Sequence, residues 1–427
     1  MRLTFNKETT LLTLAAFFIL AAFVALSLAP AARLAQWSAA TLNLGYLTAF
    51  IVWISVAIGG HLILARRLPK RDPFIFPITL FLSGWGLALV WRLAPAFGWR
   101  QTIWLFIAAL GMLAVVVAPG DLRWLRRYRY LWFTLGLGLT ALTLLIGINP
   151  SGGGPALWLG FANIFFQPSE ALKLVFIIFL AAYLAERTPA APRSLTVPYT
   201  QTSSFLFPLL LVWGLSLLIL IAQRDLGTGS LIFAVFVVLL YLATGQRRYV
   251  LLGGLLLILA TLAAYLLFDV VRLRIDAWID PYSDPSGRTF QIIQSLIAVA
   301  NGGLFGRGFG LGAPTVIPVV HSDFVFAAIM EEWGLLGGLA TLILILTLVA
   351  RGLRLAILAR GNFRRLLAGG LAALLGLQSL LIIGGVIKVL PLTGVTLPFL
   401  SYGGSSLLIN FIIVGLLLKL SNDAGSK

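Results

Sequence analysis

Residues 320–334 read V-H-S-D-F-V-F-A-A-I-M-E-E-W-G and begin an apolar span that continues to about Leu348. The segment holds three carboxylates, Asp323, Glu331 and Glu332, in a chain of 427 residues with only 14 acids. An ionised carboxylate is expensive to remove from water unless a partner compensates its charge. Acids at the depth of a membrane therefore either hold a fold together or take part in chemistry.

The composition excludes an ordinary soluble protein. Hydrophobic residues make up 60% of the chain and charged residues 11%, and the mean hydropathy is +1.01. Apolar runs of about 17–25 residues recur along the whole sequence, as expected for a helical protein that crosses a membrane many times. Their even spacing predicts an all-α fold, one transmembrane bundle joined by loops.

Two residue counts exclude whole classes of site. The chain has no cysteine, so disulfides, thiol nucleophiles and cysteine-ligated metals are impossible. Its 2 histidines, His61 and His321, are too few for a metal site built from histidine.

The first apolar run, Leu11 to Ala31, ends in small residues as a signal peptide does, but its apolar core is longer than that of a usual signal peptide and another span soon follows. We therefore keep it as a transmembrane helix.

We predict twelve membrane spans, with boundaries accurate to a few residues. They lie at about 10–31, 44–65, 74–91, 101–119, 131–148, 169–186, 204–223, 228–244, 249–268, 323–350, 367–389 and 403–420.

The distribution of charge predicts the orientation. With a cytoplasmic N-terminus, the cytoplasmic loops and tails carry most of the 31 basic residues, so the positive-inside rule places both termini in the cytoplasm. Topology thereby explains the net charge of +17 without nucleic acid. The opposite side, called the outer face below, gathers nine of the 14 acids and the long loops 149–168, 269–322 and 390–402. Function is expected there, and no internal repeat indicates an inverted-repeat transporter.

Two outer segments surround helix starts. Residues 149–173 read N-P-S-G-G-G-P-A-L-W-L-G-F-A-N-I-F-F-Q-P-S-E-A-L-K, and Gln167 to Glu170 are typical of a helix N-terminus. Lys173 follows one turn after Glu170, so the two form either a structural pair or part of a substrate site, and the spacing does not decide between them. Residues 222–230, A-Q-R-D-L-G-T-G-S, favour a structural turn.

Two further outer segments are irregular. In the 269–322 loop, Phe290 to Ala300 predict a short amphipathic helix. Five glycines follow between residues 302 and 310, together with Arg307. Backbone amides beside an arginine are suited to binding a pyrophosphate. A glycine loop without a ligand is the more common structure. Residues 388–406, K-V-L-P-L-T-G-V-T-L-P-F-L-S-Y-G-G-S-S, predict a re-entrant loop with Lys388 as a charge at membrane depth.

These four segments, in this order, resemble the SEDS family (shape, elongation, division and sporulation), the FtsW/RodA-type peptidoglycan polymerases, over about residues 75–420. The resemblance implies a two-helix N-terminal extension at 1–72, a ten-helix catalytic core at 73–421 that includes the extracytoplasmic loop 269–322, and a cytoplasmic tail at 422–427. Phe165 departs from the pattern, since many members carry arginine there, and Lys388 replaces a common glycine.

The resemblance also implies a reaction at the outer face of a bacterial cell membrane. A sugar 4-hydroxyl attacks the anomeric carbon of lipid II, undecaprenyl pyrophosphate leaves, and inversion gives a β-1,4 glycan in cell elongation or division. Asp323 matches the family's essential acid and is the candidate catalytic base, with His321 as a weaker alternative. Glu331 lies about 12 Å further along the same predicted helix, so Glu331 and Glu332 are expected to be supporting acids.

Nine residues are candidate substrate contacts. Trp158 is expected to pack against a sugar ring, and Lys173, Arg307 and Lys388 to bind pyrophosphate, with Arg288 as a weaker candidate. The others match the same motifs: Gln167, Glu170, Ser401, Tyr402 and Ser405.

The implied partners are lipid II, the growing glycan strand, a class B penicillin-binding protein for cross-linking, and other elongasome or divisome proteins. No cofactor is certain, although the outer acids would suit a divalent cation such as Mg²⁺ or Mn²⁺. Two alternatives differ in class: a lipid II flippase, for which the buried acids would line a path, and a non-catalytic scaffold for the penicillin-binding protein.

Overall fold

The computed structural model describes residues 7–40, 43–119, 121–150, 152, 154–161, 164–187, 202–287 and 289–425. This part of the chain forms helices and one two-stranded antiparallel sheet. The helices are α1 (Lys7–Leu34), α2 (Leu44–Arg67), α3 (Ile75–Leu93), α4 (Pro95–Val117), α5 (Arg123–Arg127), α6 (Arg129–Ile146), α7 (Pro168–Arg187), α8 (Thr202–Ala222), α9 (Leu226–Thr244), α10 (Arg247–Leu267), α11 (Asp269–Ile279), α12 (Phe290–Gly302), α13 (Val325–Leu358), α14 (Asn362–Val386) and α15 (Gly404–Ala424). The strands are β1 (Leu159–Phe161) and β2 (Ile164–Phe166).

The structure confirms an all-α, polytopic membrane protein. Each of the twelve predicted spans coincides with one long helix, and among the described residues eleven helices are long and apolar enough to cross a membrane. The remaining predicted span is α8, whose described apolar part is Phe207–Ala222. Helices α3, α7 and α15 are buried on nearly all sides and form the centre, whereas α10 is exposed along almost its whole length, as expected of a helix that faces lipid.

Helix α13 is bent, although the sequence predicted one straight span there. Gly334 has φ 67° and ψ −165°, which divides the helix into two segments. The ring of Phe326 lies 3.5 Å from the position that a Cβ on Gly338 would occupy. In a straight helix these two residues would be about 18 Å apart. The first segment therefore folds against the second, and only glycine is tolerated at the bend, because a Cβ on Gly334 would lie 2.3 Å from the Gly306 nitrogen.

The bend corrects the expected depth of the acidic pair. Glu332 is 1% exposed and its Oε1 lies 3.1 Å from Nε of Arg92, in the last turn of α3. Glu331 is 3% exposed and its Oε1 accepts a hydrogen bond from the Ala313 amide at 3.0 Å. Both acids thus lie against the outer end of α3 and against the glycine loop, residues 302–313. They do not lie along a straight helix that continues from Asp323. Their contacts agree with the expected supporting role.

The predicted amphipathic helix and the predicted turn are both present. Helix α12 covers the amphipathic segment and extends it to Gly302. Between α8 and α9 the chain turns within three residues, and Asp225 caps α9 by accepting a hydrogen bond from the Thr228 amide at 3.1 Å. A capping carboxylate at a helix N-terminus is a structural feature. Helix α11 was not predicted.

Candidate active site

The connection between α14 and α15, called the 387–403 loop below, joins the outer segments. Ser401 Oγ donates to the Ser322 carbonyl at 2.6 Å, and the Tyr402 amide donates to the His321 carbonyl at 2.8 Å. On another side, Nη1 of Arg274 donates to the Thr393 carbonyl at 3.2 Å. These contacts bind the Asp323 segment and α11 to one loop, so residues far apart in sequence surround one outer site.

The α8–α9 turn approaches the same loop at backbone distance. A Cβ on Gly227 would lie 2.3 Å from the Thr393 carbonyl oxygen, so no larger side chain fits. Asp225, in the same turn, accepts a hydrogen bond from Ser169 Oγ at 3.2 Å. The turn therefore links the start of α7 to the 387–403 loop.

Asp323 lies two residues before α13 and is half-buried. The Ser322 hydroxyl donates to its Oδ1 at 2.9 Å. Burial raises the pKa of the Asp323 carboxyl, while the Ser322 hydrogen bond and the charge of Arg274 act in the opposite direction. Burial thus makes the carboxylate a stronger base than an exposed aspartate, and the positive charge of Arg274 favours its ionised form.

Arg274 is a functional candidate that the sequence analysis missed. Charged residues in an outer loop are usually solvated, so its residue type alone did not mark it as a site residue. The available signal was its spacing from Trp278, four residues later on one face of α11. Trp278 Nε1 donates to the Lys388 carbonyl at 3.1 Å, so both side chains hold the 387–403 loop.

Aromatic rings border the site on the α4 side. The rings of Phe97 and Tyr402 stack with centroids 4.7 Å apart, and the His321 ring lies 5.0 Å from Phe97. Burial lowers the pKa of His321, so its imidazole is neutral at pH 7, and burial raises the pKa of Tyr402 against the opposing charge of Arg100. The guanidinium of Arg100 also lies 6.0 Å from the Phe165 ring. Arg100 is thus a second cation that the sequence analysis missed.

Glu170 and Lys173 form a buried ion pair. Lys173 Nζ lies 2.8 Å from Glu170 Oε2 and donates to Gln378 Oε1 at 3.2 Å, and the lysine side chain is 2% exposed. Gln378 in turn donates to the Thr396 carbonyl at 2.8 Å. The ammonium group is therefore occupied by protein, which favours the structural reading of the pair over a direct substrate contact.

Three other candidates use their predicted polar groups within the protein. The Gln167 amide donates to Ser405 Oγ at 2.8 Å, and the Gln167 side chain donates to Ser169 Oγ at 3.0 Å. Ser401 also accepts a hydrogen bond from the Leu397 amide at 3.0 Å. Contacts of Gln167, Ser401 and Ser405 with substrate stay predictions. The observed contacts of Ser401 fix the 387–403 loop, and that between Gln167 and Ser405 joins the start of α7 to the start of α15.

The remaining candidates are more accessible. Trp158 is half-buried and pairs with Ile148 through backbone hydrogen bonds of 2.8 and 3.2 Å, before the β1–β2 hairpin. Arg307 is exposed and its side chain makes no hydrogen bond or ion pair with a described residue. Lys388 lies two residues beyond the end of α14 and is half-exposed, with its Nζ 3.5 Å from the Ile279 carbonyl oxygen. Arg288 lies outside the described residues.

A divalent cation has no preformed cage in the described ranges. No group of three or more histidine, cysteine, aspartate or glutamate side chains there is arranged to hold a metal ion.

Comparisons with known proteins find similar chains. Residues 92–425 match the family model of the FtsW/RodA/SpoVE cell cycle proteins. The chain is 35% identical over 435 residues to the peptidoglycan glycosyltransferase RodA of Mycobacterium tuberculosis, covering 98% of this chain and 91% of that protein. It is 35% identical over 375 residues to a probable peptidoglycan glycosyltransferase FtsW of Geobacter metallireducens, covering 83% of this chain and 96% of that protein.

Solved structures show the same fold. A chain from a peptidoglycan synthase complex, described as coordinating polymerization and crosslinking, superimposes with a TM-score of 0.69 at 29% identity and covers 84% of this chain and 99% of its own. The crystal structure of the Thermus thermophilus rod shape determining protein RodA gives a TM-score of 0.61 at 26% identity, with 83% and 97% covered.

Proposed function

Because this chain belongs to the FtsW/RodA/SpoVE family of cell cycle proteins, we propose that it is a membrane-embedded peptidoglycan glycosyltransferase that polymerises lipid II at its outer face. The glycosyltransferase class follows from relatives at 35% identity over nearly the whole chain. Lipid II as substrate, the extracytoplasmic position of the outer face and the role of each residue are our proposals. The observation that supports them most is the convergence of the outer segments on the 387–403 loop beside Asp323.

The geometry suits inversion by a single displacement. Asp323 removes the proton from the attacking 4-hydroxyl, because its half-buried carboxylate is more basic than an exposed one. Arg307, exposed and without a protein partner among the described residues, binds the pyrophosphate of lipid II through charge-assisted hydrogen bonds, both in the bound substrate and while the group leaves. Half-buried Trp158 packs against a sugar ring. A divalent cation, if bound, would neutralise the leaving group and take most of its ligands from the pyrophosphate.

We assign cross-linking to a partner. A related solved structure is described as a peptidoglycan synthase complex that coordinates polymerization and crosslinking. A class B penicillin-binding protein is therefore the proposed partner for this chain. We also propose that both termini of the chain lie in the cytoplasm, as the basic loops predict.

The polymerase proposal is tested by reconstitution. The full-length protein, purified with a class B penicillin-binding protein, is incubated with lipid II and the products are separated by size. Long glycan chains are expected. Lipid II that crosses liposome membranes while no glycan forms would instead support the flippase, and the absence of both activities would support the scaffold.

Arg274 provides a prediction about pH. Removing its charge in Arg274→Gln raises the pKa of Asp323, since the guanidinium opposes the effect of burial. The base is inactive when protonated, so the acidic limb of the rate profile should move to higher pH, with the largest loss of rate on the acidic side. Arg274→Lys keeps the charge and should keep the limb in place. Polymerisation rates measured across pH 5–9 test the difference, and identical limbs in both variants would remove Arg274 as the cation that acts on Asp323.

A further inference from the structure

Helices α1 and α2 have no assigned role. The family model begins at residue 92, and the two solved structures cover 84% and 83% of this chain. We propose that Arg33, at the outer end of α1, is a positioning residue that holds the glycine loop, residues 302–313, so that Arg307 faces the leaving pyrophosphate. This inference rests on the polymerase function proposed above.

Arg33 binds two backbone carbonyls of the glycine loop. Its Nη2 donates to the Gly310 carbonyl at 2.6 Å and to the Gly312 carbonyl at 2.9 Å. Arg92, from α3, donates to the same Gly312 carbonyl at 2.9 Å. Two arginines from different helices therefore converge on one short stretch of backbone, and charge-assisted bonds of this kind are among the stronger protein hydrogen bonds.

The opposite edge of the loop is held by α13. The amide of Arg307 donates to the Glu331 carbonyl at 2.9 Å, and the amide of Gly308 donates to the Glu332 carbonyl at 3.0 Å. The Arg307 backbone is thus bonded directly to α13, and the same loop is bonded to Arg33 at Gly310 and Gly312, while the Arg307 side chain stays exposed. Its direction depends on both edges of the loop.

The glycine loop needs such restraints because its glycine backbone can adopt many conformations. Gly306, Gly308 and Gly310 have φ of 80°, 98° and 82°, conformations that glycine adopts readily but does not fix. Helix α1 also touches the loop directly, since a Cβ on Gly310 would lie 2.8 Å from the Ala29 Cβ. The position of α1 is therefore transmitted to the loop by packing as well as by Arg33.

The other end of α1 is fixed independently. Glu8, 2% exposed, accepts from Arg71 Nη2 at 2.6 Å and lies 2.8 Å from Nδ1 of His61. This cluster anchors α1 to the rest of the bundle at the end far from the glycine loop. It offers a control, because a change there perturbs the same helix without touching the carbonyls that Arg33 binds.

The test is steady-state polymerisation by the purified full-length protein with lipid II. Arg33→Ala is expected to raise KM about tenfold and to leave kcat nearly unchanged, because a pyrophosphate contact acts on bound substrate and transition state alike. Arg33→Lys should recover part of the loss, since an ammonium group can bind one carbonyl. In Arg33→Ala combined with Arg307→Ala, KM should equal that of Arg307→Ala alone, as expected when one residue acts through the other.

The control and a second measurement make the result decisive. Glu8→Gln should lower the melting temperature and keep the wild-type KM. Hydrogen exchange should show faster exchange at the Arg307 and Gly308 amides in Arg33→Ala and not in Glu8→Gln. Wild-type KM and wild-type exchange in Arg33→Ala would overturn the inference, as would equal KM increases in both variants. A wild-type protein that makes no glycan would instead overturn the proposed function, and the exchange result would still report on the loop.

Discussion

Asp323→Asn is expected to reduce the rate of glycan polymerisation about 100- to 10 000-fold, the range that general bases contribute. Asparagine has nearly the same size and can still accept the hydrogen bond that Ser322 donates to Oδ1 at 2.9 Å. It cannot take a proton from the attacking hydroxyl. The measurement is the initial rate of glycan formation by the wild type and the variant at saturating lipid II.

This loss should not come with unfolding. Burial raises the pKa of Asp323, which means that its ionised form is less favourable in the folded protein than in water. Replacing it with a neutral amide should therefore leave the melting temperature unchanged or slightly higher. The combination of a stable fold and a lost rate separates chemistry from structure.

A matched control is available on the same face. Asp269→Asn changes an acid whose side chain is 92% exposed and whose nearest cation, on Arg272, is 3.8 Å away, so its rate should stay near wild type. His321→Gln tests the alternative base, and a small loss is expected there. If Asp323→Asn polymerised at the wild-type rate, Asp323 would not be the base, although the enzyme class would stand.

The sequence predicted the elements of this fold well because membrane helices are specified by local composition. Apolar runs of sufficient length have no alternative structure in lipid, so all twelve spans coincide with helices. The bend at Gly334 was not predictable in the same way. Hydropathy is continuous through it, and the bend follows from backbone contacts with the glycine loop, such as the Leu335 amide with the Gly303 carbonyl at 2.9 Å.

The site was predicted in part for a similar reason. Motifs with polar or charged residues at membrane depth identified the segments that converge, because such residues are costly to bury and usually have a partner or a function. Arg274 and Arg100 were not predicted because each is an ordinary charged residue outside the motifs, and only the three-dimensional contacts with Thr393 and Tyr402 distinguish them. Arg33 was not predicted for the same reason.

Lys173→Met is expected to destabilise the protein by about 3–5 kcal/mol, the usual cost of leaving a buried charge without its partner. Glu170 is 7% exposed, and its cation is the Lys173 ammonium at 2.8 Å. The variant should show a lower melting temperature in detergent or nanodiscs, and polymerisation should fall along with the folded fraction.

The double variant Glu170→Gln with Lys173→Met separates the two readings of this pair. It removes both charges at nearly constant volume, so most of the lost stability should return. Since the Lys173 side chain is 2% exposed and its ammonium group is already bonded to Glu170 and Gln378, the polymerisation rate should return with the stability. A stable double variant that stays inactive would contradict the structural reading, because the loss would then require Lys173 to reach the pyrophosphate when substrate opens the site.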